Sequence, residues 1–448
     1  MATEDELVGN PMVAKEVELT EADDDDNRSL VQSKKQDATT PAMSSSLFLQ
    51  NTEKNPGRVT YGLVALSLGL LVWAITTTAL LGKSKNSSNS KKKTVVASSS
   101  EEEWAALPST VARVGFGSCA EQANPQPYWD TVVGQELDLL ILGGDNVYGD
   151  CESEGCPELG LAYAELAAKP SFRGAKSQVP MAAVWDDHDF GKNDGDASFE
   201  QKDLAKAKFL EFFDVGDERA DPGRGLYKDF RFFFPPSGGG GGGGETAGGD
   251  SVVQLLLLDT RWDRSPFEET DEPGAPYKER YVASDDASRT MLGDGQWRWL
   301  EDRLAEPARL RLVVSTIQVV ADGHGWECWR MLLPERRRLY DVLKARNGGT
   351  AFLLTGDRHV GGFYKYTYDD GEALYEATAS SWTHTCPTCD EPGPNRLGDL
   401  VTFNHFAQLD IDSRTNTLNV TLRKAHATDG SGFDTDAADV IQALTIDI

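Results

Sequence analysis

Three short clusters of side chains in this sequence could do metal chemistry. Gly144-Asp145-Asn146-Val147-Tyr148 puts a carboxylate on a tight turn and a phenol three residues later. Asp186-Asp187-His188-Asp189 crowds three carboxylates and an imidazole into four residues, which repel by like charge unless a cation sits among them. Gly356-Asp357-Arg358-His359 adds a further carboxylate and imidazole. Taken singly, each has a plain structural reading: a turn cap, a solvated helix start, an ion pair. Taken together, they offer the oxygen and nitrogen donors that di- and trivalent cations require.

The elements that must position these clusters are legible just upstream. Each cluster follows a short, nearly uninterrupted apolar run: 137–144, 179–185 and 350–355. Three more runs, 112–117, 252–258 and 310–315, lead into Ser118-Cys119, Asp259-Thr260-Arg261 and Gln318. Runs without alternation are predicted to be strands buried on both faces. Between them, 163–169, 199–213, 295–304 and 333–345 have helical spacing. Strand–helix alternation predicts an α/β fold whose ligands sit at the carboxyl ends of the strands, so the six polar stretches should share one rim. Residues 401–411 and 417–425 alternate as an edge hairpin would. Seven glycines, 238–244, predict a flexible hairpin loop between two apolar strands.

The ordered series of motifs resembles the PhoD-like alkaline phosphatase family. The stretches that carry the resemblance are GFGSC (115–119), LGGDNVYGD (142–150), WDDHDFGKND (185–194), LLDTRW (257–262), MLGDGQWRWLEDRL (291–304), STIQVVADGHGWE (315–327), LTGDRH (354–359) and YEATASS (375–381). One feature singles out this family among two-metal phosphoesterases: the first strand ends in Cys119, where Asp and His ligands are usual. Cys119 is read as a thiolate ligand rather than a small buried apolar group.

The resemblance implies a four-layer α-β-β-α metallophosphatase sandwich holding Fe3+ and Ca2+, one iron with one or two calcium ions. Carried over to this sequence, Cys119, Asp145, Tyr148 and His359 would hold iron. Asp145 would bridge to calcium, shared with Asp187 and Asp357, with Asn193 and Asp186 as further candidates. Arg261 would grip phosphate oxygens, because a guanidinium can do so with two parallel hydrogen bonds. His188 would protonate the leaving alkoxide or hydrogen-bond the phosphoryl group. Gln318 and His324 would line the substrate pocket, and Asp259 would anchor Arg261. The implied activity is hydrolysis of phosphate monoesters, and of diesters within the same mechanism, by a metal-activated water. Two other readings stay open: a strict phosphodiesterase of lipid or nucleic-acid substrates, and a non-catalytic membrane receptor or adhesion module on the same fold.

Ahead of the expected catalytic domain, 105–448, lie an acidic disordered tail over 1–60, an apolar segment over 61–82 and a linker over 83–104. The apolar segment has no charged residue and is long enough to span a hydrocarbon core of about 30 Å as one transmembrane helix. Lysines at 83, 85, 91, 92 and 93 would keep the following domain cytoplasmic, but long C-terminal domains translocate largely regardless of such charge. Cys151 with Cys156, and Cys386 with Cys389, are close pairs suited to disulfides in an oxidising compartment. The expected arrangement is therefore a single-pass, type II protein with its catalytic domain lumenal or extracellular. With 44 basic and 72 acidic residues the net charge is −28, which argues against a nucleic-acid partner. Small phosphate esters are the expected substrates, and nothing in the sequence sets the oligomeric state.

Overall fold

The computed structural model describes residues 103–235, 249–425 and 438–448. The expected tail, membrane span 61–82, most of the linker and the seven glycines lie outside these residues. Among the described residues no helix is long and apolar enough to cross a membrane. Trp104, the last residue of the expected linker, already packs on Phe172, Phe212 and Phe213.

The chain forms a mixed α/β fold with two large sheets. In the first, β1 (Arg113–Gly117), β2 (Leu139–Gly143) and β3 (Met181–Val184) run parallel, each buried over nearly its whole length. The second opens with β4 (Lys228–Phe233) and β5 (Val252–Leu257), an antiparallel pair flanking the glycine run. A two-stranded ribbon, β6 (Glu268–Glu269) and β7 (Tyr281–Val282), stands apart. The second sheet then continues with β8 (Leu310–Ser315), β9 (Thr350–Thr355), β10 (Gly361–Thr367), β11 (Ala373–Ala379) and β12 (Arg396–Val401). Its order is β12-β10-β11-β9-β8-β5-β4, with β5, β8, β9 and β11 parallel. The chain finally returns to the first sheet as β13 (His405–Asp412), β14 (Thr417–Lys424) and β15 (Val440–Asp447), giving the order β15-β14-β13-β1-β2-β3.

All six runs read as buried strands are strands, divided evenly between the two sheets. That division is set by tertiary pairing, which periodicity within a single run does not encode. The expected hairpin is formed by β13 and β14, which pair antiparallel, but it does not lie at the sheet edge. The stretch 401–411 is the end of β12 and most of β13, and β13 pairs antiparallel with β1 in the sheet interior while β15 covers β14. Among its polar positions His405 and Gln408 are buried.

Two apolar clusters hold the layers. One joins residues of β1–β3 and β13–β14 to the inner positions of β5, β8 and β9, and takes in helices Tyr128–Val133, Pro157–Ala168, Pro170–Gln178 and Lys202–Phe212. The other packs helices Gly293–Ala305 and Leu333–Lys344 on the opposite positions of the same strands, including Leu256, Val313 and Leu353. A strand whose alternate residues enter different clusters has two buried faces, which is why its sequence shows no polar alternation.

Candidate metal centre

The strand ends deliver the site. Cys119 follows β1, Asp145 follows β2, Asp186 and Asp187 follow β3, Arg261 follows β5, and Asp357 with His359 follows β9. The backbone turns sharply at these points. Cys119, Asp145, Asp357 and His359 all have positive φ (64°, 48°, 71° and 55°), a left-handed conformation that costs a non-glycine residue about 1–3 kcal/mol. Gly144, at φ 103°, lies so close to the next loop that a Cβ there would stand 2.5 Å from the Cβ of Asp186. The Asp189 carboxylate binds these loops together. It accepts the backbone N–H groups of Asp145 (3.2 Å), Asn146 (3.1 Å) and Asp186 (2.6 Å), and the Asn146 amide (2.6 Å).

Two groups of donors share Asp145. On one side, Cys119 Sγ lies 3.6 Å from Asp145 Oδ2, and the Tyr148 hydroxyl lies 3.2 Å from the same oxygen and 3.2 Å from His359 Nε2. On the other, Asp145 meets Asp187 and His188, and Asp187 meets Asp186 and Asp357, with the donor atoms of each trio within 4.8 Å of one another. A further such trio is Asp187, Asp194 and Glu327. Asp194, rather than the expected Asn193, shares this trio, and Glu327 joins it without a motif of its own to mark it. Asn193 is exposed and donates to Asp194 Oδ1 at 3.1 Å, while the Asp194 backbone N–H binds Asp187 Oδ2 at 2.8 Å. His384 is also outside the expected donor set; its Nε2 is 3.1 Å from the Tyr148 hydroxyl and 3.0 Å from His359 Nε2. The available signal was a histidine five residues past β11, just before the CPTC pair.

Three substrate assignments are corrected. Arg261 is fully buried. Its Nε binds Asp186 Oδ1 and its Nη1 binds Glu327 Oε2, both at 2.6 Å, while Nη2 stands 3.9 Å from Asp187 and 4.0 Å from Asp357. It is the internal counter-ion of the carboxylates rather than an open phosphate clamp. Asp259 fixes its backbone, accepting the N–H groups of Arg261 and Trp262 at 2.9 Å. Gln318 and His324 are also buried and turned into the core. They bind each other at 2.8 Å, and Gln318 donates to Thr378 Oγ1 and the Tyr364 hydroxyl. The two close cysteine pairs, Cys151–Cys156 and Cys386–Cys389, are disulfides, and Cys119 and Cys328 are free.

Burial governs the protonation of the site. It pushes the Cys119 thiol up to about 12, against hydrogen bonds from Ser380 and Ser118. It raises Asp145 well above the usual carboxylate range, helped by Asp187 and Cys119, and does the same to Asp357 with Asp186 and Asp187 beside it. Asp187 is buried too, yet Arg261, His188 and the Asp194 N–H outweigh that burial and hold it below the usual range. Burial alone would lower His188, but Asp187, Asp145 and Asp150 carry it up to about 10. His359 and His384 drop to about 3 and about 4, first through burial, then through neighbouring cationic groups.

This donor set fits a pair of cations. Asp186 Oδ2 and Asp187 Oδ1 are buried without a hydrogen-bond donor, and an unpaired buried carboxylate oxygen is costly unless a cation meets it. Two imidazoles held neutral are in the form that ligates metal. A thiol and a phenol that burial keeps protonated would release their protons to a bound ion. The cavity over the site measures about 200 Å3 and is lined by Asp145, Asp187, His188, His359, Arg280 and Trp326 among others. A larger depression of about 610 Å3, at the opposite end of β1 around Arg113, Asp138 and Asp410, holds none of the metal-capable trios found among the described residues.

Comparison with known proteins agrees with this geometry. Residues 246–427 match the family model of PhoD-like phosphatase, a stretch that includes Arg261, Glu327, Asp357, His359 and His384. The structure resembles a solved structure of PhoD with a TM-score of 0.57 at 16% identity, covering 77% of this chain and 71% of that one. At that identity the likeness establishes the fold. Weaker likenesses, each with a TM-score of 0.47, are to a Plasmodium protein described as the anchor in the inner membrane complex (12% identity, 76% of this chain and 89% of that one) and to a purple acid phosphatase from yellow lupin, Lupinus luteus (14%, 76% and 54%). No curated protein sequence matches the chain. The family match spans 246–427 and the shared fold extends beyond it, and together with the donor set they support a metal-dependent phosphoric ester hydrolase.

Proposed function

We propose that the chain is a membrane-anchored metallophosphatase that hydrolyses phosphate monoesters, with diesters inside its range, by attack of a metal-activated water. The observation that carries this reading is the meeting of two donor sets at Asp145 beneath one small cavity. Cys119, Asp145, Tyr148 and His359 would hold ferric iron, the ion suited to a thiolate–phenolate set. Asp145, Asp187 and Asp357, with Asp194 in the place first given to Asn193, would hold calcium through oxygen alone. When bound, such a pair lowers the pKa of a coordinated water toward neutrality and offsets charge on phosphoryl oxygens.

The protein's own groups supply the rest. Arg261 holds Asp186 and Glu327 in place behind the ligands. His188 lines the cavity with Nδ1 fixed on Asp150 at 2.9 Å, and is the proton donor to the leaving alkoxide. A cavity of about 200 Å3 has room for a phosphoryl group, and a bulky leaving group would extend toward its rim. There the Arg280 guanidinium, 44% exposed and paired with Asp194 at 2.6 Å, and Trp326, 38% exposed, offer a cation and a flat apolar surface. The sheets stacked between two helical coverings support the four-layer α-β-β-α arrangement as the frame of this site.

Anchoring through residues 61–82 rests on the length and apolar character of that segment. Two disulfides support a lumenal or extracellular catalytic domain on a single-pass, type II chain. The test is turnover of p-nitrophenyl phosphate against bis-p-nitrophenyl phosphate by the full chain in detergent, with calcium added. Strong monoester turnover is expected. Diester turnover alone would replace this reading by a strict phosphodiesterase, and turnover of neither would leave a binding module on the same fold.

A further inference from the structure

We propose that His384 is a fifth protein ligand of the iron site, beside Cys119, Asp145, Tyr148 and His359. The inference rests on the metallophosphatase reading and goes beyond its ligand set. Donor atoms that share one ion have characteristic separations. Two bonds of about 2.1 Å put their donors roughly 3.0 Å apart at a right angle and roughly 3.4 Å apart at a tetrahedral angle, and longer bonds to sulfur extend this. His384 Nε2 lies 3.0 Å from His359 Nε2 and 3.1 Å from the Tyr148 oxygen. The other edges, Tyr148 to His359, Tyr148 to Asp145 and Cys119 to Asp145, are 3.2, 3.2 and 3.6 Å. These two edges put His384 beside the Tyr148–His359 side of the donor set, while the trios that include Asp145 or Cys119 do not include it.

The surroundings fix the tautomer this role requires. Thr383 Oγ1 receives the Glu121 backbone N–H at 2.9 Å and lies 3.2 Å from the Cys119 carbonyl, which can only accept. Its single proton therefore goes to that carbonyl. His384 Nδ1, 3.0 Å from the same oxygen, must then be the donor, leaving a lone pair on Nε2. The Cys386 N–H binds the His359 carbonyl at 2.9 Å, so the segment bearing His384 is tied directly to the backbone of His359.

The competing arrangement is a hydrogen bond between the imidazoles, which would place a proton on His359 Nε2 and remove that nitrogen from the ion. The experiment is X-ray absorption at the iron edge on the full chain loaded with ferric iron in detergent, with optical spectra of the thiolate and phenolate charge-transfer bands. Two coordinated imidazoles are expected in the unaltered chain and one in His384→Ala, with a shifted band that added imidazole restores. His384→Gln, which keeps the volume of the side chain, should also lose one imidazole, and thermal unfolding shows whether each variant is folded. An unchanged imidazole count and band in a folded variant would overturn the proposal. An unaltered chain that takes up no iron would overturn the metal assignment itself, a separate result.

Discussion

Buried carboxylates occur in two settings in this molecule. At the rim, Asp145, Asp186, Asp187 and Asp357 face one another around one guanidinium, and two of their oxygens have no donor. Beneath the outer helices, Glu335 is buried to a similar degree, yet its Oε2 accepts the Met291 N–H (2.6 Å), the Trp297 indole N–H (2.8 Å) and the Thr290 hydroxyl (2.8 Å). Glu376 is likewise met by the N–H groups of Val319 and Val320 and by the hydroxyls of Thr355 and Thr378. Residue type and burial are alike in the two settings, but the partners differ. A carboxylate surrounded by donors organises its neighbours, whereas one surrounded by carboxylates awaits a cation.

Removing members of each set should separate the two. Asp145→Ala takes away the ligand common to both donor groups. It should reduce kcat/KM at least about a thousandfold and eliminate retained metal, measured by ester hydrolysis and metal analysis. Near-normal turnover would sink the two-cation reading. Arg261→Ala leaves Asp186 without its counter-ion and Glu327 with Arg264 alone, and denaturant unfolding should show a loss of about 3–5 kcal/mol. An unchanged midpoint would mean that the guanidinium is not the counter-ion described above. Glu335→Ala strands three donors and should cost about 3 kcal/mol, while kcat of the folded protein stays the same. A comparable fall in kcat would erase the distinction between the regions.

The smallest effect concerns pH. Burial outweighs the hydrogen bonds and raises Glu376 from 4.5 to about 7. A carboxyl group with a raised pKa contributes stability that is complete below about pH 4.5 and lost as pH rises through 7. Unfolding at pH 5 and pH 7 should differ by on the order of 2 kcal/mol from this group, and Glu376→Gln should flatten that difference. An unchanged pH profile in the variant would show that the four donors hold Glu376 ionised throughout.

Much of this centre is legible in the sequence because each ligand directly follows an apolar run. Asp145, Asp187 and Asp357 stand within three residues of the ends of β2, β3 and β9, so strand ends locate them without knowledge of how the strands pair. The inward turn of Gln318 and His324 has no such signature. Whether a residue past a strand faces cavity or core depends on partners such as Thr378 and Tyr364 from β11 and β10. For the same reason Arg261 reads as a phosphate grip until Asp186 and Glu327, 75 and 66 residues away, are brought to its sides. Strands β10 and β12 escaped notice because their Tyr, Lys, Arg and Gly residues break any long apolar run.

The left-handed backbone at Cys119, Asp145, Asp357 and His359 bears on any attempt to harden this protein. Glycine at any of the four would relax the chain while deleting a donor atom, and asparagine tolerates the same conformation. A library sorted by melting temperature alone would therefore be drawn toward these positions and would return variants that outlast the natural chain in heat without holding its ions. Sorting for stability and for metal retention would pull in opposite directions at these four positions, and agree almost everywhere else.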